Sequence, residues 1–341
     1  MHPNAFCKTY LRCPRCHHTF EPGHCEQCGA QFQQTLSIWD LRHPSDTGGE
    51  GRDSPIVQEL IKHYDTSSFQ ALATLLRRHR FQNYTEDVLD HLQTRSEGIY
   101  NLGQQRASMF QDRLSQHYTL PNTRVALDLG CGYGITCVAL AQQFTSVVGI
   151  DIDLPVLILA RKYLEEQHIP NVTLLQASAQ NLPLRAGSVD YVMAHNVIEH
   201  LFDVEPALQE VRRILSPGGC FCGDSRNRYD LAFPEPHVRV RWVGLMPRQF
   251  QSAYVWWRKG VDYADMHARL LSWWELRRHA RAAFGRSMRI VLPSASAYGQ
   301  SAQVDRWLSR LERQPGLGTM ILWFFPSHML IAQAPANRVA V

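Results

Sequence analysis

The sequence of 341 residues lacks a long hydrophobic run. Its first residues contain no apolar core of the kind that a signal peptide needs. The longest late apolar stretch, Met320–Ala332, contains Pro326 and His328 and is too short to span a bilayer. We therefore expect a cytoplasmic protein with no transmembrane segment, in which this late stretch forms strands of a sheet.

A strong charge excess is also missing. The formal net charge is +4, which does not by itself indicate a nucleic-acid partner. Hydrophobic residues make up 45% of the chain and charged residues 19%, as in a globular protein rather than a disordered one. The length allows more than one domain and a large core.

Glycines are concentrated where a buried strand is predicted to turn into a helix. Residues 125–134 read VALDLGCGYG, and the predicted helix covers Ile135–Phe144. Backbone N–H groups of such a turn can approach a ligand closely. A second predicted strand, 147–151, ends in Asp151, about 20 residues further on, where a ribose-binding acid belongs. Together these features predict a nucleoside-bearing cofactor.

The glycine spacing distinguishes two cofactor classes. A nicotinamide site has the pattern G-x-G-x-x-G, but here Ile135 occupies the third glycine position and Gly134 comes one residue early. Asp128 precedes the first glycine, and its carboxylate favours an ammonium group over a pyrophosphate. These residues resemble the first motif, D-x-G-x-G-x-G, of the class I S-adenosylmethionine-dependent methyltransferases.

The resemblance continues in order through Gln176–Pro183, Ser188–Met193, His195–Leu201 and Leu215–Gly219. It implies that S-adenosylmethionine is the cofactor. The residues expected to bind it are Asp128, Gly130, Cys131, Gly132, Gly134, Asp151, Ile152, Ser178, Ala179, His195 and Asn196. Ser178 stands where many relatives have an aspartate that accepts a hydrogen bond from the adenine amino group, and a hydroxyl is a weaker acceptor.

The nine cysteines are unevenly distributed, and four of them form two C-x-x-C knuckles near the N-terminus. Four thiolates on two short turns suit a tetrahedral structural Zn²⁺, which would stabilise a segment too small to form its own core. Two disulfides are the alternative and are less favoured in a cytoplasmic protein. The predicted ligands are Cys13, Cys16, Cys25 and Cys28, with His17, His18 and His24 as possible substitutes and Cys7 as a spare thiol.

The predicted architecture is α/β, with a Rossmann-like class I methyltransferase sheet, a helical cap, a small N-terminal zinc ribbon and an inserted substrate element. Residues 1–42 form the zinc-ribbon-like module, 56–118 the helical cap and 119–341 the methyltransferase domain. A linker, 43–55, joins the first two parts. Within the domain, 226–289 is the predicted substrate-recognition insert, with 13 Lys or Arg, 5 acids and 5 of the 8 tryptophans.

Two histidines are candidate general bases for methylation of a hydroxyl, His200 and His237. Glu199 could orient either imidazole or join a metal site. A similar E-H pair binds a divalent metal in ubiquinone-pathway O-methyltransferases, but Asn196 occupies the position of their additional acid. The alternative for His200 is a capping or packing role at the helix that begins near Asp203.

The insert is similar to that of methyltransferases of polysaccharide and secondary-metabolite biosynthesis. Tryptophan faces stack on sugar rings and arginines bind phosphates, so we expect methyl transfer to a hydroxyl of a small molecule, sugar or glycan. The same tryptophans could instead form the core of the insert. Two alternative functions are an RNA base methyltransferase, since a zinc module also precedes the domain in rRNA guanine methyltransferases, and a non-catalytic cofactor-binding scaffold.

Overall fold

The computed structural model describes residues 9–18, 23–80, 103–120, 123–235, 237–260, 262–263, 268–293, 302–312, 314 and 316–336. Cys7, the predicted spare thiol, lies outside these ranges. Within them, every helix is too short or too polar to pass through a lipid bilayer.

One mixed sheet organises the molecule. Its strands are β1 (Gln34–Thr35), β2 (Ile38–Asp40), β3 (Val125–Leu129), β4 (Ser146–Asp151), β5 (Val172–Gln176), β6 (Val189–Ala194), β7 (Leu215–Arg226), β8 (Met288–Val291) and β9 (Ser327–Gln333). Their order across the sheet is β1-β2-β5-β4-β3-β6-β7-β9-β8. Strands β2, β5, β4, β3, β6 and β7 are parallel, and β9 is antiparallel to both of its neighbours.

Helices cover both faces of this sheet. They are α1 (Pro55–His63), α2 (Phe69–Arg80), α3 (Gly103–Ser115), α4 (Ile135–Ala141), α5 (Leu154–Glu166), α6 (Val204–Ile214), α7 (Arg248–Lys259), α8 (Trp273–Phe284), α9 (Ala302–Glu312) and α10 (Leu317–Phe324). Helices α1 to α5 pack on one face, whereas α6 and α8 pack on the other. Successive side chains of a strand point to opposite faces, so Leu127 joins one core and Ala126 the other.

The N-terminal part is built onto the sheet. Residues 9–42, here called the cysteine module, contribute the hairpin β1–β2, and β2 pairs in parallel with β5. Leu11 bridges to Leu184, and Arg12 forms an ion pair with Glu210 on α6. Most of its buried apolar residues belong to one core of the central strands, and Ile38 belongs to the core on the other face. Sheet hydrogen bonds and a shared core therefore hold the module in place.

The predicted linker lies against the ends of β4 and β5. This strap (residues 43–55) donates a hydrogen bond from the Glu50 N–H to Asp153 (2.9 Å). The Glu50 carbonyl accepts one from the side chain of Gln176 (2.9 Å). A Cβ atom on Gly49 would lie only 2.1 Å from the carbonyl oxygen of Ile152. The segment is thus closely packed on the edge of the sheet where Asp151 and Ile152 lie.

The late apolar stretch is only partly a strand. Residues 320–324 belong to α10, and β9 begins at Ser327, so the expectation of strands throughout Met320–Ala332 was wrong for its first half. Pro326 explains the change, because proline disfavours helical geometry in the residue before it. The helix predicted over Ile135–Phe144 also ends three residues early, at Ala141.

Candidate functional site

The glycine turn follows β3 and leads into α4. The N–H groups of Gly130 and Cys131 donate to the carbonyl of Ile150, at 2.7 and 3.0 Å. The N–H of Gly132 donates to the carboxylate of Asp151 at 3.0 Å. These three donors are therefore engaged within the protein. That the turn lies against a ligand stays a prediction, and the space around its glycines shows where a ligand could lie.

Gly130 and Gly132 differ in the space that a side chain would have. Gly130 has a φ of +69°, and a Cβ there would lie 2.3 Å from the side chain of Val197. Gly132 has a φ of +50°, and a Cβ there would meet nothing within 4 Å. Gly130 therefore allows close packing against the segment after β6, whereas Gly132 faces open space that a ligand could fill.

Two carboxylates flank the turn. Asp128 is buried at the end of β3 and accepts hydrogen bonds from the Thr136 hydroxyl (2.5 Å) and the Cys137 thiol (3.3 Å). Asp151 accepts from the N–H groups of Gly132 (3.0 Å) and Asp153 (3.1 Å), one on each oxygen. Burial raises the pKa of both carboxyl groups to about 6. A cationic ligand at Asp128 and hydroxyl donors at Asp151 would each favour the ionised form.

The segment after β5 lies beside these groups. Ser178 is buried, and its hydroxyl accepts a hydrogen bond from the N–H of Gln180 (3.2 Å). The carbonyl of Ile152 accepts from Gln176 (2.9 Å), which ties the end of β4 to the end of β5. Ala179 is partly buried and packs against the core that contains Leu127 and helix α6. The residues predicted to contact the adenosine part thus follow neighbouring strands at one edge of the sheet.

Asp224 organises the ends of β6 and β7. Its carboxylate accepts from the Asn196 N–H (2.7 Å) and bonds the Nδ1 atom of His195 (3.0 Å). The His195 ring packs edge-on against Phe110 of α3. Burial alone would lower the pKa of His195, but the Asp224 carboxylate outweighs it and the pKa is raised. The neighbouring Arg106 also interacts with Asp224, although burial lowers its pKa.

Glu199 lies in a short 3₁₀ helix, Ile198–His200, after β6. Its side chain is buried, and its Oε2 atom has no hydrogen-bond partner among the described residues. Burial, followed by the nearby charge of Asp224, raises the pKa of Glu199 to about 7. The charge of His237 acts in the opposite direction and lowers the pKa of Glu199, but it is outweighed by burial. A role for Glu199 in orienting an imidazole or in a metal site stays a prediction.

A different acid orients His237. Glu235 is buried, and its Oε1 atom lies 2.6 Å from Nδ1 of His237. Its Oε2 atom accepts from the N–H groups of His237 (2.8 Å) and Val238 (2.7 Å), and the Tyr263 hydroxyl donates to Oε1 (3.3 Å). A carboxylate at Nδ1 favours the tautomer that leaves Nε2 able to accept a proton. Sequence reasoning missed Glu235, although its position two residues before the histidine was a usable signal.

The two candidate bases face each other. The Nε2 atoms of His200 and His237 are 3.4 Å apart, and their rings are nearly perpendicular. His200 is exposed and does not cap the next helix, since Asp203 accepts from the Glu205 N–H there. Val197, three residues before His200, touches the glycine turn at Gly130. This contact connects the histidine pair to the predicted cofactor site.

The predicted insert divides into two structural parts. Residues 229–263, here called the aromatic insert, include α7 and a small core of Val238, Val240, Val243, Val255 and Tyr263. Helix α8 instead packs on the main core beside α6. Four of the five tryptophans are exposed, with fractions of 56% (Trp242), 67% (Trp256), 71% (Trp257) and 45% (Trp274), whereas Trp273 is 9% exposed. Only Trp273 therefore packs as a core residue.

The four knuckle cysteines converge. All four Sγ atoms lie within 4.8 Å of one another, with 3.7 Å between Cys13 and Cys28 and 3.5 Å between Cys16 and Cys25. A tetrahedral zinc with Zn–S bonds of about 2.3 Å requires sulfur separations of about 3.8 Å. The two turns are alike, because the N–H groups of His17 and Gly29 donate to the carbonyls of Cys13 and Cys25. The thiols are free in the structure and fit a metal site.

Comparison with known proteins agrees with this geometry. Residues 127–223 match the family model described as methyltransferase domain. The chain contains a class I S-adenosylmethionine-dependent methyltransferase domain. The match spans the glycine turn, Asp151, Ser178 and the His195–His200 segment, and the sheet has the Rossmann-like α/β form expected of such a domain.

The similarity to curated relatives covers only part of this chain. It is similar to a ubiquinone biosynthesis O-methyltransferase of Paracidovorax citrulli, with 32% identity over 37% of this chain and 53% of the relative. A demethylmenaquinone methyltransferase of Lactiplantibacillus plantarum is 33% identical over 36% of this chain and 53% of its own length. The structure of YcgJ from Bacillus subtilis covers 67% of this chain and 99% of that chain, at 17% identity and a TM-score of 0.41. The chain thus spans about half the length, or less, of these curated relatives.

Proposed function

We propose that this protein transfers a methyl group from S-adenosylmethionine to a hydroxyl of a sugar, a glycan or a related small molecule. The observation that carries the proposal is the Glu235–His237 pair, which directs an imidazole Nε2 toward His200 beside the methyltransferase domain's cofactor motifs. A relative described as an O-methyltransferase supports an oxygen acceptor.

The residues that would hold the cofactor are the predicted set around the glycine turn. Asp128 would attract the ammonium group, and Asp151 would accept hydrogen bonds from the ribose hydroxyls. The open space at Gly132 and the partly exposed His195–Asn196 pair leave room beside these acids. The cofactor supplies a methyl group on a positively charged sulfur, so that its transfer to oxygen leaves a neutral thioether.

His237 would act as the general base. Nε2 of His237 would accept the proton of the acceptor hydroxyl while the oxygen forms its new bond to the methyl carbon. Glu235 stabilises the resulting imidazolium and holds the ring in place through Nδ1. His200, opposite His237, would position the acceptor hydroxyl.

The exposed aromatic residues favour a sugar-containing acceptor. Trp242 and Phe233 are exposed and lie around the same small depression as Glu235, whose volume of about 10 Å³ is too small to enclose a sugar, so a sugar ring would stack on its rim. Arg226 lies at the same depression, whereas the Arg228 guanidinium donates to the carbonyls of Gly244 and Met246. Aromatic faces and arginine side chains suit a sugar ring that carries an anionic group.

We also propose that Cys13, Cys16, Cys25 and Cys28 hold a structural Zn²⁺. Their sulfur separations support this assignment. The metal would stabilise the cysteine module.

The test is transfer of labelled methyl groups into separated sugar-nucleotide, lipid and RNA fractions. We expect label on a hydroxyl of a sugar-containing compound, and none with Asp128→Asn, which weakens cofactor binding. Label on guanine in RNA would contradict the proposed acceptor. Cofactor binding without transfer into any fraction would instead support a scaffold.

A further inference from the structure

A large cavity lies at the other end of the sheet from the cysteine module. Its volume is about 1550 Å³, and it is lined by α3, α8, β8, α9 and α10. Strand β8 is the edge strand there, two strands away from the Asp224 end of β7. None of the cofactor-site or histidine residues described above lines this cavity.

Arginine dominates the lining. Helix α8 contributes Arg277 and Arg281, and α9 contributes Arg306 and Arg310, so each helix presents a pair spaced by four residues. Side chains at this spacing are neighbours on one helix face. Arg286 and Arg289 add two more guanidinium groups at the beginning of β8.

These six guanidinium groups are not neutralised by acids. Across the described part of the chain, none of the six has a carboxylate within ion-pair distance. Among the described residues of the lining, the acids are Asp112 and Glu312, and Glu312 is already bound to a seventh arginine, Arg113 (2.8 Å). The lining alone therefore carries more positive charge than the +4 of the whole chain.

The positive charge of the cavity also affects the neighbouring His117. Burial and then the charge of Arg289 lower the pKa of His117, which also lines the cavity. Like charges that converge on a concave surface repel one another and concentrate the potential, so an anionic ligand would stabilise this arrangement. Guanidinium groups bind phosphate oxygens in a bidentate manner.

We propose that this arginine cavity binds a ligand with two or more linked phosphoryl groups, such as an oligophosphate or a nucleoside diphosphate. Six cations exceed what a single phosphate requires. Elements surround the cavity on several sides, which suits a compact anion better than an extended nucleic-acid strand. The proposal does not rest on methyl transfer.

The experiment measures equilibrium binding and thermal stabilisation with pyrophosphate, tripolyphosphate and a nucleoside diphosphate, with orthophosphate for comparison. We expect linked phosphates to bind and orthophosphate to bind much more weakly. The variant Arg277→Gln/Arg281→Gln should lose affinity by roughly tenfold or more, because hydrogen bonds to charged groups are lost. Preferential binding of the nucleoside diphosphate would identify a nucleotide as the source.

Controls separate a specific site from general charge. Arg52→Gln/Arg78→Gln removes the same charge from exposed positions outside the cavity and should leave affinity unchanged. Arg306→Gln/Arg310→Gln tests the opposite wall if the first variant is unstable. Equal losses in all three variants, or tighter binding of single-stranded RNA that increases with its length, would overturn the proposal. Cofactor binding measured on the same samples reports separately on the proposed function.

Discussion

The cysteine module and the aromatic insert are both additions to one sheet, but they are attached in different ways. The module contributes β1 and β2 to the sheet and shares its main core. The insert has a small core of its own and leaves large aromatic side chains exposed. Exposed aromatic groups of this size contribute little to folding, so the first region adds to the stability of the sheet, whereas a role in recognition for the second stays a prediction.

The largest effect on stability is expected from substitutions in the cysteine module. Cys13→Ser or Cys25→Ser should abolish zinc binding and unfold the module, because binding of a structural zinc contributes roughly 10 kcal/mol. Metal analysis and thermal unfolding check this. Cys220→Ser, a buried cysteine of β7, is the matched control and should retain the metal. Retention of zinc by the module variants would contradict the proposed ligands.

The next effect concerns activity rather than stability. His237→Gln and Glu235→Gln should each lower kcat by about 10²- to 10⁴-fold, as expected for the loss of general-base catalysis. The cofactor affinity should change little in either variant. The thermal midpoint should change little in His237→Gln and fall in Glu235→Gln, because the buried Glu235 carboxylate accepts two backbone N–H groups and the Tyr263 hydroxyl. His200→Gln is the comparison. If it abolished transfer while His237→Gln did not, the two histidines would exchange the roles proposed here.

The unfolding free energy is expected to depend on pH through Glu199. Because the folded pKa of Glu199 is raised to about 7, the folded state binds its proton more tightly than the unfolded state. The resulting stability is complete below the ordinary pKa of a glutamate and is lost as pH rises through 7. Glu199→Gln should therefore remove up to about 3 kcal/mol of the fall in unfolding free energy between acidic and alkaline pH.

Denaturant unfolding at several pH values measures this effect. Glu59→Gln on the exposed face of α1 is the matched substitution and should leave the wild-type pH dependence in place. An unchanged pH dependence in Glu199→Gln would show that the carboxyl group is not protonated in the folded protein.

The smallest effect on stability is expected in the aromatic insert. Trp256→Ala/Trp257→Ala should change the unfolding free energy by about 0.5 kcal/mol or less, since both side chains are exposed. The same variant should raise the KM for the acceptor. Trp273→Ala should instead cost about 3 kcal/mol, because this tryptophan is buried. Equal destabilisation by both changes would show that the insert tryptophans form a core.

Much of the central domain could be predicted from local patterns. The strand before the glycine turn and the strand ending in Asp151 lie where the apolar runs and turn residues indicate. The helix within Met320–Ala332 could not be separated from a strand by hydrophobicity alone, because both buried forms give apolar runs. The boundary depended on Pro326.

Glu235 and the strap show a second limit of local patterns. The acid that binds His237 was one of several within reach along the chain, and burial with the Tyr263 hydroxyl selects it. The strap has the composition of a linker, yet Glu50 and Gly49 lie against the end of β4. These contacts join residues about a hundred positions apart, so no local pattern contains them.

The sequence by itself determined the methyl donor class, the position of the cofactor turn and the cysteine set, because each depends on short motifs with fixed spacing. Only the tertiary structure decided that the two candidate bases face each other, that the cysteine module extends the sheet and that six arginines share one cavity. The physical reason is that these features depend on which helices and strands pack together on the two faces of the sheet. Local chain geometry does not specify that choice.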